Sequence, residues 1–161
     1  MGIEIDAKRG VANSYGVRNT TGQYGAQQNS SGVVKSALWD FTYLTLPVPG
    51  ASNLQYVIPA GATIVSAKLV IDTPFASTSG TTDLTVGLQT KAGVEIDNDG
   101  LITAANATQT TIAVDGGVVT GSGALVGAGI GANDGELVVA GTDTDLTAGA
   151  GRVIVEYIYN S

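Results

Sequence analysis

This 161-residue chain predicts an all-β fold: an antiparallel β-sandwich with an extended N-terminal arm. Three observations carry the prediction. Apolar and polar side chains alternate at a period of two in several short runs, the pattern of half-buried strands. Gly, Pro, Asn and Asp separate those runs, and glycine alone is 23 of the 161 residues, about twice its usual share. Helical windows are nearly absent. Only 33–49, 62–79 and 101–115 exceed 14 residues without glycine; the first two contain proline and β alternation, and the third is Thr and Ala without an apolar stripe. About eight strands favour a jelly roll, with an immunoglobulin-like sandwich as the second arrangement.

Residues 1–32 form the arm. Asn13–Gly32 is rich in Asn, Gln, Ser, Thr and Gly, with Tyr15, Val17 and Tyr24 as its large apolar side chains. Such a segment cannot repay its ordering entropy by burial within itself. Residues 33–161 form the sandwich. The run Leu38–Leu46 puts Trp39, Phe41, Tyr43 and Thr45 on one face and Leu38, Asp40, Thr42, Leu44 and Leu46 on the other, until Pro47 and Pro49-Gly50 end it. Leu54–Ile58 reads as a short strand. Pro59-Ala60-Gly61 fits a type I turn with Pro at its second position. Ala62–Asp72 is a long strand broken by Asp72-Thr73-Pro74, and Ser77–Thr82 is loop.

Asp83–Thr90 alternates Leu84, Val86 and Leu88 against Thr85, Gly87 and Gln89. Val94–Ile96 and Leu101–Thr103 flank Asp97-Asn98-Asp99-Gly100, a hairpin-loop pattern. Thr110–Val114 reads as a strand, Asp115–Gly135 as an interrupted Gly-rich stretch, and Glu136–Ala140 as a strand. Arg152–Tyr159 has the cleanest alternation, Val153, Val155, Tyr157 and Tyr159 against Arg152, Ile154, Glu156 and Ile158.

Composition excludes several chemistries. The chain has no Cys and no His, so a disulfide framework, a thiol nucleophile, a Ser–His–Asp triad and the usual zinc or haem ligands are absent. No apolar run is long enough to span a membrane as a helix. Met1–Gly10 carries Glu4 and Asp6 and lacks an apolar core, so a secretion signal is not expected there, and synthesis in a cytoplasm is. The net charge is −7, unevenly spread. The first 35 residues hold Lys8, Arg9, Arg18 and Lys35 against Glu4 and Asp6. Beyond them Lys68, Lys91 and Arg152 face twelve acids, which argues against nucleic-acid binding. A mildly basic arm suits an acidic neighbour.

Candidate sites are few. Glu95, Asp97 and Asp99 beside Gly100 offer oxygen ligands of the kind calcium takes, but the EF-hand spacing fails because Thr108 stands where a Glu is needed; a turn is the primary reading. Asp143 and Asp145 form a weaker pair. Gly121-Ser122-Gly123 and Gly127-Ala128-Gly129-Ile130-Gly131 look like phosphate cradles yet lack the strand–helix context. They read instead as a flexible loop or a close approach to a symmetry mate. Asp40 and Glu156, both on strands, either face each other or pair with Lys35 or Arg152, and an ion pair is preferred to glycosidase-type acid–base work. No metal site or cofactor is assigned. Trp39, Phe41, Tyr43, Tyr157 and Tyr159 are core or subunit-interface residues. Lys8, Arg9, Tyr15, Arg18 and Tyr24 are the candidate partner contacts, since aromatic residues and Arg anchor interfaces.

Three passages carry a resemblance. They are Ile58–Ile64 leading into Ser66–Ile71, Asp83–Leu88 followed by Gly93–Thr103, and Leu146–Gly149 leading into Arg152–Tyr157. In texture and order they resemble small virion structural proteins of tailed bacteriophages, over about two thirds of the chain. The resemblance implies a β-sandwich or jelly-roll subunit, often trimeric, attached to a capsid or tail. Capsid decoration (cement) proteins are the nearest in size; they sit on the capsid outer surface and bridge major capsid protein subunits. No functional motif carries over residue by residue. The expectation is a non-enzymatic decoration protein, a homotrimer with no nucleic-acid or membrane partner. A head-fibre or glycan-binding receptor module is the alternative, and a hydrolase using paired acids the third.

Overall fold

The computed structural model describes residues 34–50, 57–141 and 146–159. Among them are seven strands: β1 (Val34–Thr42), β2 (Thr63–Ser77), β3 (Leu84–Gln89), β4 (Glu95–Ile102), β5 (Val118–Thr120), β6 (Glu136–Gly141) and β7 (Leu146–Ile158). One helical turn, α1 (Gln109–Ile112), lies between β4 and β5. The strands form a four-stranded sheet ordered β1-β7-β2-β5 and a three-stranded sheet ordered β4-β3-β6, with antiparallel pairing throughout. The predicted all-β antiparallel sandwich is the fold observed.

The core lies between the sheets. Trp39, Phe41, Leu69, Ile71, Val153 and Val155 enter it from the larger sheet, and Leu84, Val86, Leu88, Leu101, Leu137 and Val139 from the smaller one. The period-two runs do what was expected of them on β1 and β7, whereas on β2 a register shift between Ile64 and Ser66 interrupts the alternation. β3 is buried on both sides, since Gly87 and Gln89 are covered as well as Leu84, Val86 and Leu88.

Several boundaries differ from the sequence reading. β1 ends at Thr42 and not Leu46, because Thr45 closes a turn: its N–H donates to the Thr42 carbonyl at 3.0 Å, and the Thr42 N–H donates to its Oγ1 at 3.1 Å. Of the expected strand at 54–58, Ile58 pairs with Gly135, and 54–56 lie outside the described residues. The next turn is one residue later than expected. Ala62 N–H donates to the Pro59 carbonyl, and Gly61, at φ 76°, fills the left-handed position that a type II turn requires.

Asp72-Thr73-Pro74 does not break β2. Register shifts at Ile71/Thr73 and Thr73/Ala76 absorb Pro74, which has no N–H to give a regular ladder, and the strand runs on to Ser77. Asp97–Gly100 is no hairpin loop but an irregular stretch inside β4. The β3–β4 turn is Thr90–Val94, where Thr90 N–H donates to the Val94 carbonyl and Gly93 stands at φ 76°. Thr110–Val114 is not a strand. α1 forms because Asp83 Oδ1 accepts the Gln109 N–H, Gln109 Nε2 donates to the Phe75 carbonyl, and Ile112 is buried.

β7 begins at Leu146, six residues before its regular alternation. Its small residues, Ala148 to Gly151, make room for aromatic rings. Phe41 and Phe75 stack at 5.8 Å, and a Cβ on Gly149 would lie 2.0 Å from the Phe75 ring.

Candidate interaction surfaces

The outward side chains of the four-stranded sheet form an open face. Register sets Leu38 beside Ile154, and Ile154 beside Lys68; the next row is Asp40, Arg152, Val70 and Val118. Arg152 reaches diagonally to Asp72, with Nη2 at 2.7 Å from Oδ1 and Nε at 2.9 Å from Oδ2. Glu156 accepts from the Ser66 hydroxyl at 2.7 Å. The expected alternatives for Asp40 and Glu156 resolve thus: Asp40 sits opposite Arg152 in register, Arg152 pairs with Asp72, and Glu156 bonds to a serine. Leu38, Val65 and Val118 leave much of their surface exposed on this face. The outer side of β3 and β6 contrasts with it, since Gly87, Gln89, Glu136 and Val138 are all buried.

The five aromatic candidates separate into two groups. Trp39 and Phe41 are spent in the chain's own core, 2% and 4% exposed. Tyr43, Tyr157 and Tyr159 are half-buried and keep surface to offer. Burial pushes the Tyr157 hydroxyl above the usual phenol range. Lys35 Nζ stands 5.3 Å from the Tyr159 ring centroid, a cation–π arrangement. Lys8, Arg9, Tyr15, Arg18 and Tyr24 lie outside the described residues, as do Asp143 and Asp145.

The acidic triplet is folded on itself. Glu95 Oε1 accepts the Asn98 N–H and Asp97 Oδ1 accepts the Asp99 N–H, each at 3.3 Å. Burial, then a hydrogen bond with Asp99 and the charges of Asp99 and Glu95, raises the Asp97 pKa above 3.8. Among the described residues no group of three or more acidic side chains is arranged to hold a metal ion.

The glycine-rich stretch is no anion cradle. Its amides are used internally: Gly121 N–H donates to the Ala67 carbonyl, Gly123 to Leu101 and Gly127 to Ile64. A Cβ on Gly121 would meet the Leu101 carbonyl oxygen at 2.2 Å, and one on Gly123 the Gly100 carbonyl carbon at 2.3 Å. The close approach is therefore to this chain's own β4, where a flexible loop or a symmetry mate was the expectation.

A second surface escaped the sequence reading. Val94, on the β3–β4 turn, is 62% exposed, and Val48 is exposed nearby. Gly50 joins the two segments, its N–H donating to Gln89 Oε1 at 2.9 Å and its carbonyl crowding Gly93. Thr90, Lys91, Ala92, Val94, Asn133 and Asp134 line a shallow, open depression at this end of the sandwich. A valine beside a glycine turn reads as strand start, and only the fold shows it left uncovered.

No protein-family model matches the chain, and no curated protein does. Solved structures do. A chain of the cyanophage Pam1 capsid asymmetric unit aligns over 89% of this chain and 94% of its own, with TM-score 0.56 and 16% identity. A chain of the Ralstonia phage GP4 capsid aligns over 81% and 87%, with TM-score 0.50 and 19% identity. At these identities the likeness is one of fold.

Proposed function

We propose that this chain is a non-enzymatic structural protein of a tailed-phage virion. In this reading it is a decoration protein that binds the capsid outer surface as a homotrimer and bridges neighbouring major capsid subunits. The observation that carries the reading is the near end-to-end fold likeness to a phage capsid chain, 89% of one and 94% of the other. The strand order supports a jelly roll, an architecture used in viral capsids. Val139 N–H donates to the Pro47 carbonyl at 2.9 Å, so the segment around Pro47 flanks the free edge of β6. Taking that segment as a further strand gives two four-stranded layers with interleaved connections. The absence of Cys and His fits a protein that does no chemistry. A protein that binds the assembled shell and not its separated subunits stabilises the shell by mass action, and arms from linked copies add avidity.

The test is quantification of this chain in purified particles, with hundreds of copies expected. A dozen or fewer would place it at a tail or portal vertex and overturn the decoration role. Added to shells that lack it, the full chain binds, and a chain without residues 1–32 loses that binding. Unchanged binding would remove the arm from the mechanism.

A further inference from the structure

One long sheet edge is open among the described residues. Tyr43 N–H donates to the Gly149 carbonyl, in step with the β1–β7 register. The odd-numbered residues of β1 therefore bond to β7, and the even-numbered ones point their N–H and C=O groups away from it. Thr42 shows the same phase, since Thr45 takes both its N–H and its carbonyl on the far side. The N–H and C=O groups of Ser36, Leu38 and Asp40 have no backbone partner among the described residues. The other margins differ. Val139 of β6 donates to the Pro47 carbonyl, Gly123 and Leu125 donate to carbonyls of β4, Gly127 donates to Ile64 of β2, and β5 is three residues long. A nine-residue edge without proline is a template for a further strand.

The sequence holds a strand pattern that the described sandwich does not use. Residues 3–8 alternate Ile3, Ile5 and Ala7 against Glu4, Asp6 and Lys8, the period of a half-buried strand. They belong to residues 1–33, which lie outside the described residues and end where β1 begins. The 25 residues between Lys8 and Val34 reach up to about 80 Å, against about 30 Å for the length of β1, so residues 3–8 reach the edge in either direction. Being tethered, they compete for it at an effective concentration of about millimolar, ahead of a strand from another molecule. A strand added there sets one row of side chains on the outer face with Leu38 and Asp40. It turns the other row to the core margin, where Ala37 packs half-buried against the core. The isoleucines suit that second row.

We infer that residues 3–8 add to the free edge of their own chain's β1 as a fifth strand of the larger sheet. Ile3 and Ile5 turn to the core side beside Ala37, and Glu4, Asp6 and Lys8 to the outer face. Residues 9–33 then form a loop held at both ends, which presents Arg9, Tyr15, Arg18 and Tyr24. The inference rests on the open edge and the alternation of residues 3–8, not on the virion role, which stands if it fails.

The test is amide hydrogen exchange of the full chain, read residue by residue by NMR. The amides of Ser36, Leu38 and Asp40 are expected to be protected. Glu4→Pro combined with Ile5→Pro is expected to speed their exchange about tenfold or more. Neighbouring amides of a strand point to opposite sides, so one of the two replaced N–H groups must face β1 whichever the register. Ala37 and Trp39, whose amides face β7, keep their protection in that variant, which separates release of the strand from unfolding. Fast exchange of the three edge amides in the wild type would overturn the added strand, and so would protection that the double-proline variant retains. Protection that disappears when the wild type is diluted would assign the edge to a second copy and overturn pairing within one chain.

Discussion

The contact between Phe75 and Gly149 offers the sharpest check on the packing. Phe75 is 1% exposed and stacks on Phe41. Gly149 stands at φ 134°, and an added Cβ would fall 2.0 Å from one ring carbon and 2.5 Å from two more. Phe75→Ala deletes a buried ring, a change that costs roughly 3–5 kcal/mol. In a domain near the middle of the usual range of about 5–15 kcal/mol the variant remains folded, with its melting midpoint lowered by roughly 6–20 °C. Gly149→Ala carries two costs: backbone strain of about 1–3 kcal/mol at positive φ, and the clash with the ring. The clash requires Phe75 and the strain does not. In a double-mutant cycle Gly149→Ala should therefore cost less in the Phe75→Ala background, with a coupling of about 1–3 kcal/mol. Urea denaturation of the four proteins at one fixed concentration measures it. Strict additivity would refute the account, since the two sites would then not share space.

Three further outcomes are expected. Gly87→Ala would place its Cβ 2.0 Å from the Asp97 carbonyl oxygen, a backbone atom that cannot swing aside, so soluble yield and melting midpoint should fall more than for any surface change. Asp72→Asn, which breaks the exposed Arg152 pair, should leave the thermal midpoint within the reproducibility of the melt, as exposed ion pairs contribute little. Asp97, whose folded pKa lies above 3.8, binds its proton more tightly folded than unfolded. Its contribution to stability therefore improves as pH falls from above the folded pKa toward 3.8, and Asp97→Asn should remove that part of the pH dependence in melts recorded along the same series.

How much could be read in advance varied with the kind of signal. Val153 and Val155 against Arg152 gave the face of β7 directly, because a strand's side chains alternate whatever its neighbours are. Trp39 and Phe41 were legible in the same way as one face of β1. Asp97–Gly100 misled, since its turn-like composition serves an irregular stretch inside β4, where Gly87 and Gly123 let neighbouring backbones approach. Pro74 misled likewise, because a bulge against β7 removed the need for its N–H. The short helix at Gln109 depends on Asp83 and the Phe75 carbonyl, a contact 26 and another 34 residues away.

By itself, then, the sequence determined the class of fold, the inward faces of β1 and β7, and the exclusion of cysteine and histidine chemistry. These follow from side-chain period and composition, which are local properties. Only the tertiary structure decided which strands pair, which glycines stand at close backbone approaches, and which apolar residues are left uncovered. Leu38 and Val94 look no different from buried residues in the sequence; they differ because one lies on the sheet face that nothing among the described residues covers, and the other on a turn at the end of the sandwich. Burial is a property of what lies opposite, and the chain states that only once it has folded.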